Sequence, residues 1–455
     1  MIVETLACLI LMAGAWGLSV TVFARDKNGY DVTQDYAYAL EPDWSVSCRL
    51  DSNRLQLDAI PPADFTLILP IRVISSRRFS DPLIRIQVGE QQVTYYFERG
   101  AKGLRYVDIT QLADGIGRRS PIRVEIKGCQ CGVEQLLAFA RPALEKMRLL
   151  IIAPHPDDAE LAAYGLYETY ASQASILIVS PGERLGELKR QYIRGLDSDL
   201  VTATRRKADI RLWDGHCVPR WAGVSAEESI ALGYFDGTLE RMQQHPDEVI
   251  SHPVLTGVTP VLFRRFNTVE LPSDDKVQNR WRDLVNDIVY ILEAKTPDVI
   301  VMPHPQLDVH PDHAAVTAAV MEAAEQSTHA VQHKMFYVNH ARGARQFPSG
   351  PAGAATGLVP NVGPNILGSK VYSVPLDAEA RRRKACALGF MHDLTHPYRP
   401  IKQLKTLLAR MLRWRSREVY GADTYFRTAL RDSELFLYIA EQNLPEDHGP
   451  SRAES

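Results

Sequence analysis

The pattern of hydrophobic and polar positions divides the chain into three stretches. From Thr5 to Phe23 runs TLACLILMAGAWGLSVTVF, without a charge. As a helix rising 1.5 Å per residue, this run spans about 28 Å, close to the roughly 30 Å of bilayer hydrocarbon, and predicts an N-terminal transmembrane helix within residues 1–24. A cleaved signal peptide is the alternative: Val22-Phe23-Ala24 is a tolerable cleavage signature, but the only charge before the run is Glu4, where a basic segment is expected. Arg25 and Lys27 follow the run and no basic residue precedes it. The positive-inside rule then predicts a single-pass protein of a bacterial-type inner membrane with its C-terminal side in the cytoplasm.

Residues 25–44 are polar and rich in Asp and Tyr, and read as a linker. From 45 to 143 the runs are short and β-branched or aromatic: Phe65–Pro70, Leu83–Val88, Val93–Phe97 and Ile122–Ile126, separated by turn signals such as Gly89-Glu90, Arg99-Gly100 and Ala113-Asp114-Gly115. Strands at roughly 10-residue spacing predict a small β-sandwich. Such modules often bind carbohydrate, but the fold alone does not license that function, and a spacer or docking module is the plainer reading.

At Met147 the period changes. Leu149–Ala153, Ser175–Val179 and Val299–Met302 are continuous apolar runs, as expected of strands covered on both faces. Helical patterns separate them, among them Val277–Glu293 with Val277, Trp281, Leu284, Val285, Ile288 and Leu292 on one face. Strands alternating with helices predict an α/β domain over 147–440, with a Rossmann-like, mostly parallel sheet. Residues 441–455 read as a disordered tail.

Composition narrows the function. A formal net charge of −3 leaves no global attraction to nucleic acid. Six cysteines are too few for a disulfide scaffold. Cys129 and Cys131 form a lone CxC pair, read as two half-buried small residues more readily than as a metal or redox site. Arg399–Arg417 is rich in Lys and Arg, contains no acid, and sets Ile401, Leu404, Leu407, Leu408, Met411 and Leu412 at helical spacing. A basic amphipathic helix of this kind either lies on an anionic membrane or packs its apolar face on the domain.

The chemistry sits at two strand ends, where ligands collect in open α/β sheets. After Ala153 comes Pro154-His155-Pro156-Asp157-Asp158-Ala159-Glu160-Leu161, and after Met302 comes Pro303-His304-Pro305-Gln306-Leu307-Asp308-Val309-His310-Pro311-Asp312-His313. A single His-Pro-Asp is common as a turn and helix cap. Two, both ending buried strands and opening helices, point to a shared metal site, because imidazole and carboxylate suit zinc and three protein ligands plus water make a catalytic centre.

His155-Pro156-Asp157-Asp158 and His310-Pro311-Asp312-His313 resemble the paired signatures of the PIG-L/LmbE-like zinc deacetylases, which include the de-N-acetylase of N-acetylglucosaminyl-phosphatidylinositol. Ser180-Pro181-Gly182-Glu183, Arg206 on the following helix, Tyr234-Phe235-Asp236-Gly237, Pro297-Asp298-Val299-Ile300 and Phe426–Phe436 are similar to further family segments in the same order. The chain departs from the family in Asp-Asp-Ala-Glu for the commoner Asp-Asp-Glu, in Tyr164-Gly165 for a glycine pair, and in the stretch 341–368, which reads as an insertion. The choice between Arg205 and Arg206 stays open.

The resemblance implies zinc held by His155, Asp158 and His313, with Asp157 as general base, His310 facing the same cavity as an oxyanion donor, and Asp312 orienting an imidazole. Arg206 and Asp236 are candidates for gripping sugar hydroxyls. The implied activity is removal of an N-acetyl group from an N-acetylglucosamine-type sugar, in a glycolipid or polysaccharide precursor if the chain is anchored. The alternatives are an inactive carbohydrate-binding membrane protein and a zinc amidohydrolase that removes a different acyl group.

Overall fold

In the computed structural model the described residues are 29–75, 81–193, 195–341, 347–361, 363, 366–395 and 424–440, together with Thr5, Ile10 and Gly14. The first unit holds β1 (Trp44–Asp51), β2 (Arg54–Leu57), β3 (Phe65–Ser75), β4 (Leu83–Val88), β5 (Gln91–Tyr96), β6 (Lys102–Asp108), β7 (Ile122–Lys127), β8 (Cys129–Gly132) and β9 (Gln135–Ala140). These strands do not form the two separate sheets of the expected sandwich. They make one nine-stranded antiparallel sheet in the order β5-β4-β7-β2-β1-β9-β3-β6, with β8 also beside β3. The reason lies in β1. Its first half, Trp44–Ser47, pairs with β9 and its second half, Cys48–Asp51, pairs with β2, so one strand joins the two halves. The sheet curls over a single core in which Ile84, Ile86 and Val93 meet Leu67, Leu69 and Ile71.

The second unit holds β10 (Leu149–Ala153), β11 (Ala174–Ile178), β12 (Ser229–Ala231), β13 (Val299–Pro303), β14 (His333–Tyr337), β15 (Lys370–Pro375) and β16 (Ser433–Ala440), in the order β12-β11-β10-β13-β14-β16-β15. The pairs from β12 to β14 are parallel. β16 runs antiparallel to both β14 and β15, so the sheet is mixed, a parallel run from β12 to β14 with β16 reversed beside it, where a Rossmann-like sheet was expected. Successive strand residues face opposite sides. Ile151, Ile176 and Val301 enter one core with α1 (Asp158–Thr169), α2 (Leu200–Trp221) and α5 (Ala378–Phe390), whereas Leu150, Leu177 and Ile300 enter another with α3 (Trp281–Lys295) and α4 (Pro311–Gln326). Both faces are thus dry, which is why these runs are unbroken in the sequence.

The two units share a seam. Ile68, Leu137 and Phe139 of the first pack on Val371 and Leu437 of the second. The hydroxyls of Ser373 and Ser433 both donate to Asp108 Oδ2, at 2.6 and 2.5 Å. Part of the segment read as a linker lies here. Tyr36 is buried, with the Arg105 guanidinium 4.0 Å over its ring, and the Tyr38 hydroxyl donates to Val359 O at 2.6 Å.

The membrane reading is corrected. No helix among the described residues is long and apolar enough to cross a membrane. The long helix α2 carries Arg205, Arg206, Lys207, Asp209 and Arg211, charges that are costly in hydrocarbon. A single-pass membrane protein with a cytoplasmic domain is therefore not supported. The run 5–23 itself falls, apart from Thr5, Ile10 and Gly14, outside the described residues, as do the whole basic segment 399–417 and residues 441–455.

One buried ion pair shapes the helix that carries the first motif. Inside α1, Ala163 leaves helical geometry at φ −138°. The amides of Gly165 and Leu166 donate instead to Glu434 of β16, at 2.8 and 2.9 Å, while Lys384 Nζ donates to Glu434 at 2.7 Å and to Leu161 O at 2.9 Å. A Cβ on Gly165 would come 2.3 Å from the Leu376 side chain, just beyond β15, so glycine is what lets the kinked helix pack there. Glu434→Ala leaves a buried ammonium unpaired and should cost about 3–5 kcal/mol in urea denaturation of the full chain. Adding Lys384→Met should recover part of that loss; a single-variant loss below about 1 kcal/mol would refute the role of the pair.

Candidate metal centre

β10 and β13 are neighbours in parallel register, Leu149 opposite Val299 and Ile151 opposite Val301, so their C-terminal loops leave the same sheet edge. Both loops then turn sharply into helices. In the first, Asp158 N donates to His155 O at 3.2 Å, His155 N donates to Asp158 Oδ2 at 3.0 Å, and Asp157 sits at φ 116°. A non-glycine residue with positive φ is strained, and such strain concentrates at functional sites. In the second, Pro311 supplies the first helical position of α4, where its missing N–H is not needed.

The loops converge. Ring centroids lie 5.5 Å apart for His155 and His313, 5.1 Å for His155 and His310, and 4.7 Å for His310 and His313. Asp158 Oδ2 lies 3.3 Å from His155 Nδ1 and 3.1 Å from His313 Nε2. Three overlapping sets each bring one ligand atom per residue within 4.8 Å of the others: His155, His310 and His313; Asp158, His313 and His340; and His155, Asp236 and Asp312. His155 Nε2, His310 Nδ1 and both ring nitrogens of His313 are buried without a hydrogen-bond partner. Orphaned imidazole nitrogens facing carboxylates at contact distance are what a divalent ion with N/O ligands satisfies, so the donor set fits zinc.

The electrostatics agree with that fit. Burial alone would push His155 and His313 down. The carboxylates of Asp158, Asp236 and Asp312 instead hold His155 well above the usual imidazole range, and Asp158 and Asp308 bring His313 up to about 9. Burial works against ionisation of Asp158, yet His313 and His155 keep it well below the usual carboxylate range. His310 is pushed down to about 4, first by burial and then by the charges of His155 and His313. The cluster draws positive charge onto itself, by proton or by cation.

The other expected residues are placed as follows. Asp157 Oδ1 accepts from Arg211 Nη2 at 2.9 Å, and burial pushes its carboxyl up to about 8 against the pull of Arg211. Asp312 accepts from Gly237 N at 2.7 Å and lies 3.4 Å from His155 Nε2. Asp236 lies 3.5 Å from the same nitrogen and accepts from Arg184 N at 3.1 Å. Arg206 is not brought in: its guanidinium pairs with Asp197 at 2.8 Å and is nearly half exposed.

Several residues of the centre had no role in the sequence reading. Asp308 lies 3.1 Å from His313 Nδ1 and accepts from the backbone amides of His310, Asn339 and His340. Asn339 Nδ2 donates to Asp158 Oδ1 at 2.9 Å. Arg211 bridges Asp157 to Asp393, 2.9 Å from each. The signal for Arg211 was present, since it falls on the stripe Thr204, Ala208, Arg211, Gly215, Val218 that α2 buries, where a charge needs a reason. His340 and Asn339 lie just beyond β14 and carry no motif. His304 is a turn residue: its Nδ1 accepts from the Leu307 and Gln306 amides and its Nε2 meets Leu367 O at 2.9 Å.

Residues 150–324 match the family described as PIG-L, GlcNAc-PI de-N-acetylase. No curated protein matches the chain. Among solved structures, it is similar to N,N'-diacetylchitobiose deacetylase from Pyrococcus horikoshii, at 15% identity over 65% of this chain and 85% of that one, TM-score 0.36. It is also similar to the conserved protein TT1542 from Thermus thermophilus, at 17% identity over 68% and 100% of the two chains, TM-score 0.31. A third is the zinc-inhibited form of teicoplanin deacetylase Orf2, at 17% identity over 65% and 100%, TM-score 0.34. Likenesses this distant carry no conclusion on activity.

Because Asp308 faces His313 Nδ1 at 3.1 Å and accepts from the His310 amide in the turn that presents it, Asp308→Ala should weaken zinc binding about 10–100-fold with the fold retained. Equilibrium dialysis against a competing chelator measures this; unchanged affinity would remove Asp308 from the centre.

Proposed function

From residues 150–324 being a PIG-L domain, we propose that the chain is a zinc-dependent hydrolase that removes the N-acetyl group from an amino sugar of the N-acetylglucosamine type. The observation that carries this reading is the meeting of His155, Asp158 and His313, with orphaned ring nitrogens, beside Asp157, whose backbone is strained. A glycolipid setting rested on the membrane anchor and is not carried forward.

His155, Asp158 and His313 hold the metal in this proposal. Bound zinc lowers the pKa of a coordinated water to about 7 and polarises a carbonyl oxygen. Asp157 accepts the proton of the attacking water at the carboxylate oxygen that Arg211 leaves available, and passes it to the departing amine. Arg211 fixes the carboxylate from α2, donating to Pro156 O at 2.6 Å as well as to Asp157. Cationic charge at the centre acts on Asp157 in the same direction as Arg211, towards the ionised base. His310, half-buried at the loop mouth and held neutral, donates a hydrogen bond to the oxygen on which negative charge develops. Asp312 steadies the ring of His155. Asp236, partly exposed with Arg184 beside it, faces the sugar.

Two substitutions test this assignment. In the zinc-loaded chain, Asp157→Asn should keep the metal and lower acetate release from N-acetylglucosamine conjugates about 10²–10⁴-fold, the usual share of a general base. His313→Ala should lose the metal and the activity together. Near-normal turnover by Asp157→Asn would overturn the base assignment.

A further inference from the structure

An amide substrate has two ends, and the surroundings of the centre differ on two sides. On one side lie Asp236, the exposed Arg184 and the exposed Gly237, a polar face that reaches solvent. On the other, Asn339 and His340 form the edge of a cavity of about 630 Å³. It is walled by Leu161 and Ala162 of α1, Phe336 of β14, Leu435 and Leu437 of β16, and Tyr38. Leu358 also lines it, and its amide donates to Tyr106 O of the first unit at 3.0 Å.

Polar side chains also line this space, and several of them make their hydrogen bonds within the protein. Lys384 is occupied by Glu434 and Leu161 O. Arg431 gives its Nη atoms to the carbonyls of Pro351, Ser349 and Ala355, at 2.7–3.0 Å. The hydroxyls of Tyr38 and Ser433 are given to Val359 O and Asp108. The wall left to a ligand is mixed, polar at Asn339, His340 and Thr356 and apolar at Leu161, Ala162, Phe336 and Leu437, and a chain of methylenes placed against the apolar part gains about fourfold in affinity for each one fully buried. An acetyl group uses none of this. The volume lies in the range of cavities that enclose a whole small ligand.

We infer that this cavity receives the acyl chain of the substrate, so that the preferred substrates are N-acyl amino sugars with acyl groups longer than acetyl. The inference rests on the amide-hydrolase reading above, with the sugar on the Asp236 side. The reaction is the same hydrolysis: water adds to the acyl carbon, the C–N bond breaks, and the proton taken from water goes to the leaving nitrogen. The products are a medium-chain carboxylate and the free amino sugar.

The test compares N-acetyl-, N-butyryl-, N-hexanoyl- and N-octanoylglucosamine as substrates of the zinc-loaded full chain, following release of free amine. The expected result is a kcat/KM that rises several-fold with each two-carbon step. Ala429→Phe and Ala162→Phe, on different elements, each fill the cavity; each should lower the octanoyl value at least tenfold and leave the acetyl value within about twofold. Calorimetric titration of the metal-free chain with N-octanoylglucosamine should show binding that Ala429→Phe abolishes, a readout independent of turnover. A flat or falling series with measurable acetyl turnover overturns the inference and leaves the hydrolase reading standing, as does a rising series that neither filling variant alters. No turnover of any member by the zinc-loaded chain overturns both.

Discussion

The parallel pairing of β10 with β13 is the constraint on which the rest of the structure depends. These strands come from segments about 150 residues apart in the chain, and only their adjacency in one sheet, with the same direction, sets both loops at one edge. Each strand is buried on both faces, which fixes its register through packing on both sides. A slip of one residue would turn the apolar sets of the strand to the wrong cores and carry His155 away from His313. The precision of the centre is therefore a property of the sheet, and the loops only need to turn tightly at its rim.

That rim is electrostatically expensive. Asp157, Asp158, Asp308 and Asp312 are buried within a few residues of strand ends, and such carboxylates are retained only where hydrogen bonds, cations or metal offset their desolvation. Here the offsets are assembled from distant elements: Arg211 from α2, the amide of Gly237, the backbone of Asn339 and His340, and the rings of His155 and His313. The first unit adds the seam at Asp108 and accepts the amide of Leu358, which lines the cavity, at Tyr106 O. The Glu434–Lys384 pair bends α1 between that cavity and the centre.

Much of this was legible in the sequence, and what was not has physical reasons. Continuous apolar runs at 149–153 and 299–302 revealed strands dry on both faces, and the His-Pro-Asp loops after them revealed the chemistry. The stripe from Val277 to Glu293 likewise marked a helix that the second core buries, although that helix starts only at Trp281. Local patterns do not encode long-range pairing, however. Nothing in SELFLYIA tells that β16 lies antiparallel between β14 and β15, or that β1 splits its hydrogen bonds between β9 and β2. Asp308 and His340 acquire their roles only from their neighbours in space. Motif order points to Arg205 or Arg206 and passes over Arg211, although burial periodicity on α2 singles out Arg211. The apolar run at 5–23 met the length and hydropathy of a span, but no described helix meets both.

The central claim is that the two histidine loops clasp one divalent ion between them. Anomalous diffraction at the zinc edge, from crystals of the full chain grown with one equivalent of zinc, tests it most directly. The account predicts a single strong peak about 2.0–2.2 Å from a ring nitrogen of His155, a ring nitrogen of His313 and a carboxylate oxygen of Asp158. A peak bound by only one of the two loops, or none at this sheet edge, would contradict it.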